Sequence, residues 1–380
     1  GGGVTISESG IEASGIGITV ANINGTQIGG RRNIIINGAM NVAQRGTSST
    51  STGYGSIDRI NHQFSGTDEA PTYAQVDVSS GTSPYTEGFR KCLKITNGNQ
   101  TSGAGSSDYI YFWYIAEAQD IATSGWNYTS SSSFITLSYW VKSSVAQNFY
   151  GSLYTADGAG QGYAFETGSL TADTWTKIVK TIPGNSNISF NNDTGAGLYV
   201  GPIRAFDGTD RTGSMTLDAW GAYSSSTRTP DATSTWYTTN DATLEVTGLQ
   251  MEVGSQVTAF EHHTFSEEFE FCQRYYMRYA SEGVAYHRFA QGQMISATGM
   301  QCCFHWNKKM RTAPSIGQDG TFAAYVTNSV GSVGTLTMLD ISSRGAIITG
   351  TTSASHTAGE CVDLISNNDS DAYLEFIAEL

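Results

Sequence analysis

Short segments that alternate apolar and polar residues, each closed off by a cluster of Gly, Asn, Asp or Ser, run along most of this chain and leave few folds open to it. In FITLSYWVKSS (134–144) the alternation is unbroken. Phe134, Thr136, Ser138 and Trp140 fall on one side of an extended chain, and Ile135, Leu137, Tyr139 and Val141 on the other. A period of two in β-branched and aromatic residues marks a strand with one face in a core. Related segments between residues 32 and 263 are NIIINGAM, DRINHQFS, KCLKITN, DYIYFWYIAEA, QNFYGSLYTA, TWTKIVKTIP, GLYVGPIRAF, SMTLDAWGAY and ATLEVTGLQMEVG. With no βαβ rhythm and no glycine-rich phosphate loop among them, they predict a jelly-roll-type β-sandwich. An opening segment (32–59, RNIIINGAM to GSIDR) and a closing one (242–276, ATLEVTGLQ to CQRYY) bracket this region, as first and last strands that meet would.

Composition agrees. Of 380 residues, 14% are charged and 44 are Gly, with Ser, Thr and Asn abundant. These are weak helix formers suited to strands and turns. At 39% hydrophobic and 11% aromatic, the chain still has the apolar surface for cores. Its net charge of −14 argues against a nucleic-acid partner, which needs a basic face. No apolar run is long enough for membrane insertion as a helix, and no signal peptide is visible. The start, GGG without Met, reads as a fragment or processed product. Five cysteines (Cys92, Cys272, Cys302, Cys303 and Cys361) without regular spacing make no disulfide framework. They are expected as small, buried or half-buried residues of a protein made in a reducing cytoplasm.

Four regions follow. Residues 1–31, with Val4, Ile6, Ile11, Ile16, Ile18, Val20 and Ile23 often two apart, form a β segment too thin to bury a core alone; three copies wound together would supply one, and a plain linker is the alternative. Residues 32–263 are the jelly roll. Residues 264–280 predict a helix: Thr264 and Glu267 make a capping-box pattern, acidic residues lead and arginines follow. Its stripe of Phe265, Phe269, Cys272, Tyr276 and Tyr279 suits either its own domain or a threefold axis. Residues 281–380, with MISATGMQCCFHW, TFAAYVT, TLTMLDIS, GAIITGT, CVDLIS and AYLEFIAEL, predict a small closing β-sandwich.

Taken in order, NIIINGAMNVAQRG, YGSIDR, FITLSYWVKSS, TWTKIVKTIPG and VTGLQMEVGSQVTAFEHHTFSEEFEFCQRYY resemble a recurring module of phage virions, the carbohydrate-binding-module-like jelly roll of phage tail fibres and related appendages. The segment from CQRYY through MRTAPSI to LEFIAEL is similar to the tip domain that often follows it, and residues 4–28 look like the β-structured shaft. The resemblance implies a homotrimer on a virion tail, made in the host cytoplasm, with other tail or baseplate proteins and a host cell-surface glycan as partners.

Sugars offer an apolar C–H face to aromatic rings. Tyr109, Tyr111 and Trp113 alternate on one face of DYIYFWY, and Trp236 and Tyr237 lie in a loop-like stretch that should expose them; these five are the candidate glycan-binding residues, against the alternative that they fill the core. No organic cofactor is expected. Calcium, which takes several oxygens in a flexible loop, would suit Asp207 and Asp210 before Asp193, Asp369 or Asp371, although plain turns explain the same residues. No local pattern singles out a catalytic carboxylate pair, a nucleophile elbow or a metalloprotease helix, and adjacent His262 and His263 are expected at the sandwich edge. The expectation is therefore a non-enzymatic tail fibre for host recognition and adhesion. The alternatives are a tailspike depolymerase or a cellular adhesin or carbohydrate-binding appendage.

Overall fold

The computed structural model describes residues 32–327 and 329–380, together with the backbone of four short strands near the start: Val4–Ser7 paired antiparallel with Gly10–Ala13, and Asn22–Ile23 with Thr26–Gln27. The side chains expected to pack a threefold shaft lie outside the described residues.

Residues 32–275 build a sandwich of two six-stranded antiparallel sheets. The first runs Thr176–Pro183, Phe134–Ser143, Thr243–Val253, Lys91–Thr96, Thr72–Asp77 and Ser48–Ser49. The second runs Trp220–Ala222, Gln161–Ser169, Asn148–Thr155, Ala196–Asp207, Tyr109–Glu117 and Ile60–Ser65. The alternation read from FITLSYWV holds, since Ile135, Leu137, Tyr139 and Val141 are fully buried between the sheets. They meet Ile110, Phe112, Tyr114, Leu153, Val200 and Ile203 of the second sheet. A Leu- or Ile-sized side chain so buried contributes on the order of 2 kcal/mol, so this seam dominates the stability.

The bracketing segments do meet, though NIIINGAM is not a strand. It is a tight irregular turn, with Asn37 and Met40 both at φ near +60°. Side chains satisfy the backbone groups that a ladder would have taken. Asn33 Oδ1 accepts from the amides of Ile35 and Met251, Asn37 Nδ2 donates to the carbonyls of Val42 and Asp58, and the Asn37 amide donates to Glu268. Within the sandwich, three strands have no counterpart in the sequence reading: Ser48–Ser49, Thr72–Asp77 and Gln161–Ser169.

The helix starts where expected. Thr264 Oγ1 accepts from the Glu267 amide while the Glu267 carboxylate accepts from the Thr264 amide. It then stops at Cys272, and Tyr276–Ala280 is a strand pairing with Tyr373–Ile377, so the expectation of one helix over 264–280 is corrected. Tertiary pairing outweighs a modest helix propensity here. The supposed axis stripe is correspondingly used within the chain. Cys272 and Tyr276 are fully buried, Phe269 packs on the first core, Tyr279 stands edge-on to Phe304 and Phe376, and only Phe265 is well exposed, at 61%.

A second core begins at Met277. It lies between a three-stranded sheet (Tyr276–Ala280, Tyr373–Ile377, Ser315–Asp319) and a seven-stranded one (Ser329–Val333, Phe322–Val326, Cys361–Ser366, Arg288–Met294, Gly299–His305, Gly345–Thr351, Thr337–Leu339). MISATGMQCCFHW thus holds the turn and the second strand, Gly299–His305, of a hairpin whose first strand is Arg288–Met294. All five cysteines are free thiols. Cys92, Cys272 and Cys302 are buried as expected, but Cys303 and Cys361 are exposed, because each falls on the outward phase of its strand.

The two cores are tied by buried polar contacts. The Arg59 guanidinium stacks 3.5 Å from the Tyr275 ring centroid and pairs with Glu379, which also holds Arg45. Arg274 clasps Glu117 through two nitrogens, and Arg311 donates to the carbonyls of Thr194, Ala378 and Glu379.

Candidate functional site

The outward face of the second sheet carries an aromatic cluster separate from the sandwich core. The Tyr109–Glu117 strand points Tyr109, Tyr111, Trp113 and Ile115 outward and Ile110, Phe112 and Tyr114 inward. Next to it, strand Ala196–Asp207 contains register shifts after Val200 and after Arg204. These bulges reset the alternation. Val200, Ile203, Ala205 and Phe206 remain in the core, while Tyr199, Gly201, Arg204 and Asp207 share the outer face. Pro202, which has no amide to give, sits within the first irregularity. Gly201 is required where it stands: a Cβ there would lie 2.6 Å from the Trp113 ring. Tyr154 comes from Asn148–Thr155, opposite Tyr199, and Tyr223 folds in from the segment after Asp207.

The rings form one continuous surface. Tyr154 stacks on Tyr199 and on Tyr223, each at 4.2 Å between centroids. Trp113 stands edge-on to Tyr154 and Tyr199, both at 5.8 Å, and to Tyr111 at 5.4 Å; Tyr111 stacks on Tyr109 at 5.2 Å. Guanidiniums cap the far end. Arg204 lies 4.1 Å from the Tyr111 centroid and 4.6 Å from that of Trp113, and Arg211 lies 4.0 Å from that of Tyr109. Arg228 donates to the Tyr111 hydroxyl. Each such contact adds roughly 0.5–2 kcal/mol of order to the surface.

Of the sequence candidates, the structure brings Tyr109, Tyr111 and Trp113 together here. Tyr111 and Trp113 are largely covered, at 3% and 5% exposure, so the accessible rings are those of Tyr109, Tyr154, Tyr199 and Tyr223. Trp236 and Tyr237 are corrected: they lie in a one-turn helix, Thr235–Thr238, with both side chains buried in the core. Trp236 Nε1 donates to the Thr243 carbonyl and the Tyr237 hydroxyl to Asp108. A polar-looking sequence around them hid two side chains whose donors are satisfied from inside.

The two leading calcium candidates, Asp207 and Asp210, are both engaged by other groups of the protein. Asp207 is buried between Arg204 (3.0 Å) and Arg228 (3.7 Å), where burial pushes its carboxyl up against the pull of both guanidiniums. Asp210 accepts from the hydroxyls of Ser106 and Ser107. Asp193 caps its own turn at Gly195, and Asp369 accepts from Thr321 and Asp371. No group of three or more His, Cys, Asp or Glu gathers for a metal among the described residues. Tyr154 and Tyr199 were legible in principle from strand alternation. Arg204 was not, because bulges cannot be read from spacing.

No protein-family model matches the chain, and no curated protein does. Among solved structures it is similar to the enzymatically active domain of bacteriophage CBA120 tailspike protein 4, at 6% identity with a TM-score of 0.30, over 58% of this chain and 21% of that one. The chain thus spans about a fifth of that protein's length. A putative sugar-binding protein from Bacteroides thetaiotaomicron is similar at 10% identity and a TM-score of 0.32, over 58% of this chain and 99% of that one. The tandem CBM22 domain of Paenibacillus barcinonensis Xyn10C is similar at 8% identity and a TM-score of 0.29, over 95% and 100%.

Proposed function

We propose that the chain is a non-enzymatic glycan-recognition protein that holds a host-surface carbohydrate on the outer face of its second sheet, as part of a trimeric phage tail fibre. The observation that carries this reading is the surface of four half-buried tyrosines locked by stacking and backed by Trp113 and Arg204. A pyranose lays its C–H face on such rings. The phenolic hydroxyls and guanidinium edges around them supply the donors and acceptors that its hydroxyls need. Rings already held in place lose little freedom on binding, and that preorganisation favours affinity. In a trimer, three weak contacts become one strong attachment.

The test is calorimetric titration with oligosaccharides released from host surface polysaccharide. The paired variant Tyr154→Ala/Tyr199→Ala should lose binding by tenfold or more, on the order of 1.4 kcal/mol or above. Wild-type binding that survives both changes removes this face as the site. The same mixtures should show no new reducing ends over time; steady release of them selects the depolymerase reading instead. For assembly, sedimentation should give a trimer that Phe265→Ser weakens, since Phe265 is exposed and stacks on Phe269.

A further inference from the structure

The opposite side of the sandwich holds a cleft of about 490 Å³, lined by Glu87, Lys177, Val257, Thr258, Ala259, Phe260 and His262. We infer that it is a second carbohydrate site, sized for one pyranose unit and independent of the tyrosine surface. Its volume falls within the range of small-molecule sites, roughly 300–1,000 Å³.

Its chemistry is that of a sugar's two sides. One wall is apolar: Phe260 is fixed edge-on to Phe89 at 4.8 Å and to the His262 ring at 4.9 Å, and Val257 stands exposed beside it. The other wall is a charged pair. Trp140 Nε1, at 3.0 Å, and Lys177 Nζ, at 3.2 Å, both donate to Glu87 Oε2, which fixes the carboxylate and leaves Oε1 for a ligand. A carboxylate acceptor beside an ammonium donor is what a vicinal diol requires, since each hydroxyl both gives and takes a hydrogen bond. Glu87 and Lys177 keep 40% and 31% of their side chains exposed, so a ligand can reach both.

The cleft is preformed. His262 Nε2 lies 2.8 Å from the Glu87 carbonyl oxygen. Gly88, at φ +103°, lets that ring sit where any Cβ would come within 3.0 Å of it. Thr258 is anchored through its amide and hydroxyl to the buried Glu252 carboxylate. With one site on each side of the sandwich, a single chain could join two strands of a surface polysaccharide.

The chain's six histidines give a direct readout, the imidazole C–H resonance of His262 in proton NMR. The probes are the methyl glycosides of glucose, galactose and mannose at tens of millimolar. At least one should shift that resonance saturably, with the same affinity in the Tyr154→Ala/Tyr199→Ala variant. Glu87→Ala should weaken this binding on the order of tenfold. Lys177→Met, which leaves the Trp140–Glu87 bond in place, should weaken it too and covers the case in which Glu87→Ala fails to fold. No saturable shift with any of the three glycosides overturns the inference. So does binding that both cleft variants leave unchanged, or binding that the tyrosine variant abolishes. Loss of polysaccharide binding in the tyrosine variant alone bears on the other face only.

Discussion

Two broad antiparallel sheets in this molecule present an outward face, and they present different things. The second sheet of the sandwich shows Tyr109, Tyr154, Tyr199 and Tyr223 around Arg204 and Asp207. The seven-stranded sheet of the second unit shows Gln291, Gln293, Gln301, Cys303 and Cys361 on the corresponding phase of its strands. Both obey the same alternation, and both bury Ile, Leu, Met and Phe inward. Strand geometry therefore decides which residues face out but not what they are. Large rings facing water gain nothing for the core, so a face that collects them, aligns them and backs them with buried charge is chemically distinct from one that carries short amides.

The largest effect that would break this contrast is expected at Trp236. Because it is core and not surface, Trp236→Ala should cost about 3–5 kcal/mol in denaturant unfolding; a loss under 1 kcal/mol would return it to the surface. Next comes Glu379→Ala, which leaves the Arg59 guanidinium buried without its carboxylate and should cost about 3 kcal/mol. It should also split unfolding into two transitions, one per core, visible by calorimetry. Smaller in stability is Tyr199→Ala, at about 1 kcal/mol or less, yet it should remove most glycan binding. Smallest is Gln293→Ala, within about 0.5 kcal/mol and without effect on glycan titrations; a clear binding loss there would move recognition to the second unit.

A pH experiment sharpens the same comparison from inside the sandwich. Burial raises the Asp58 carboxyl to about 6, and burial lowers the His62 imidazole to about 4. Between pH 4 and 6 the folded state holds a proton on Asp58 that the unfolded chain tends to release, so this group makes stability fall as pH rises. Over nearly the same window His62 is neutral when folded and charged when unfolded, so it makes stability rise. The two slopes oppose each other. His62→Gln should leave stability declining from pH 4 to 6, and Asp58→Asn should leave it climbing, as read by urea midpoints; parallel slopes in the two variants would refute the assignment.

Much of the fold was legible because burial is written into strand alternation. In FITLSYWV and DYIYFWY the alternation divided the residues into the two faces that the structure shows, and the structure adds which of the two is inward. The quoted motifs had a different meaning from the one their prominence suggests. Asn33 and Asn37 fasten the opening segment to the closing one, Asp58 ties the opening segment to itself through Gln44, and Arg59 reaches into the second unit at Glu379. What stayed hidden depends on partners far away in sequence. Trp236 looks exposed until Gln147 and Thr243 are placed beside it. The helix after Thr264 looks twice its length until Tyr373–Ile377 claims its second half. Arg204 reaches the outer face only through two irregularities that no spacing rule reports.

The guanidinium of Arg59, held at once by Tyr275, Glu379 and the Ile115 carbonyl, has a mechanical consequence. Such a joint resists bending, so force applied to the second unit would travel straight into the sandwich instead of being lost in a hinge.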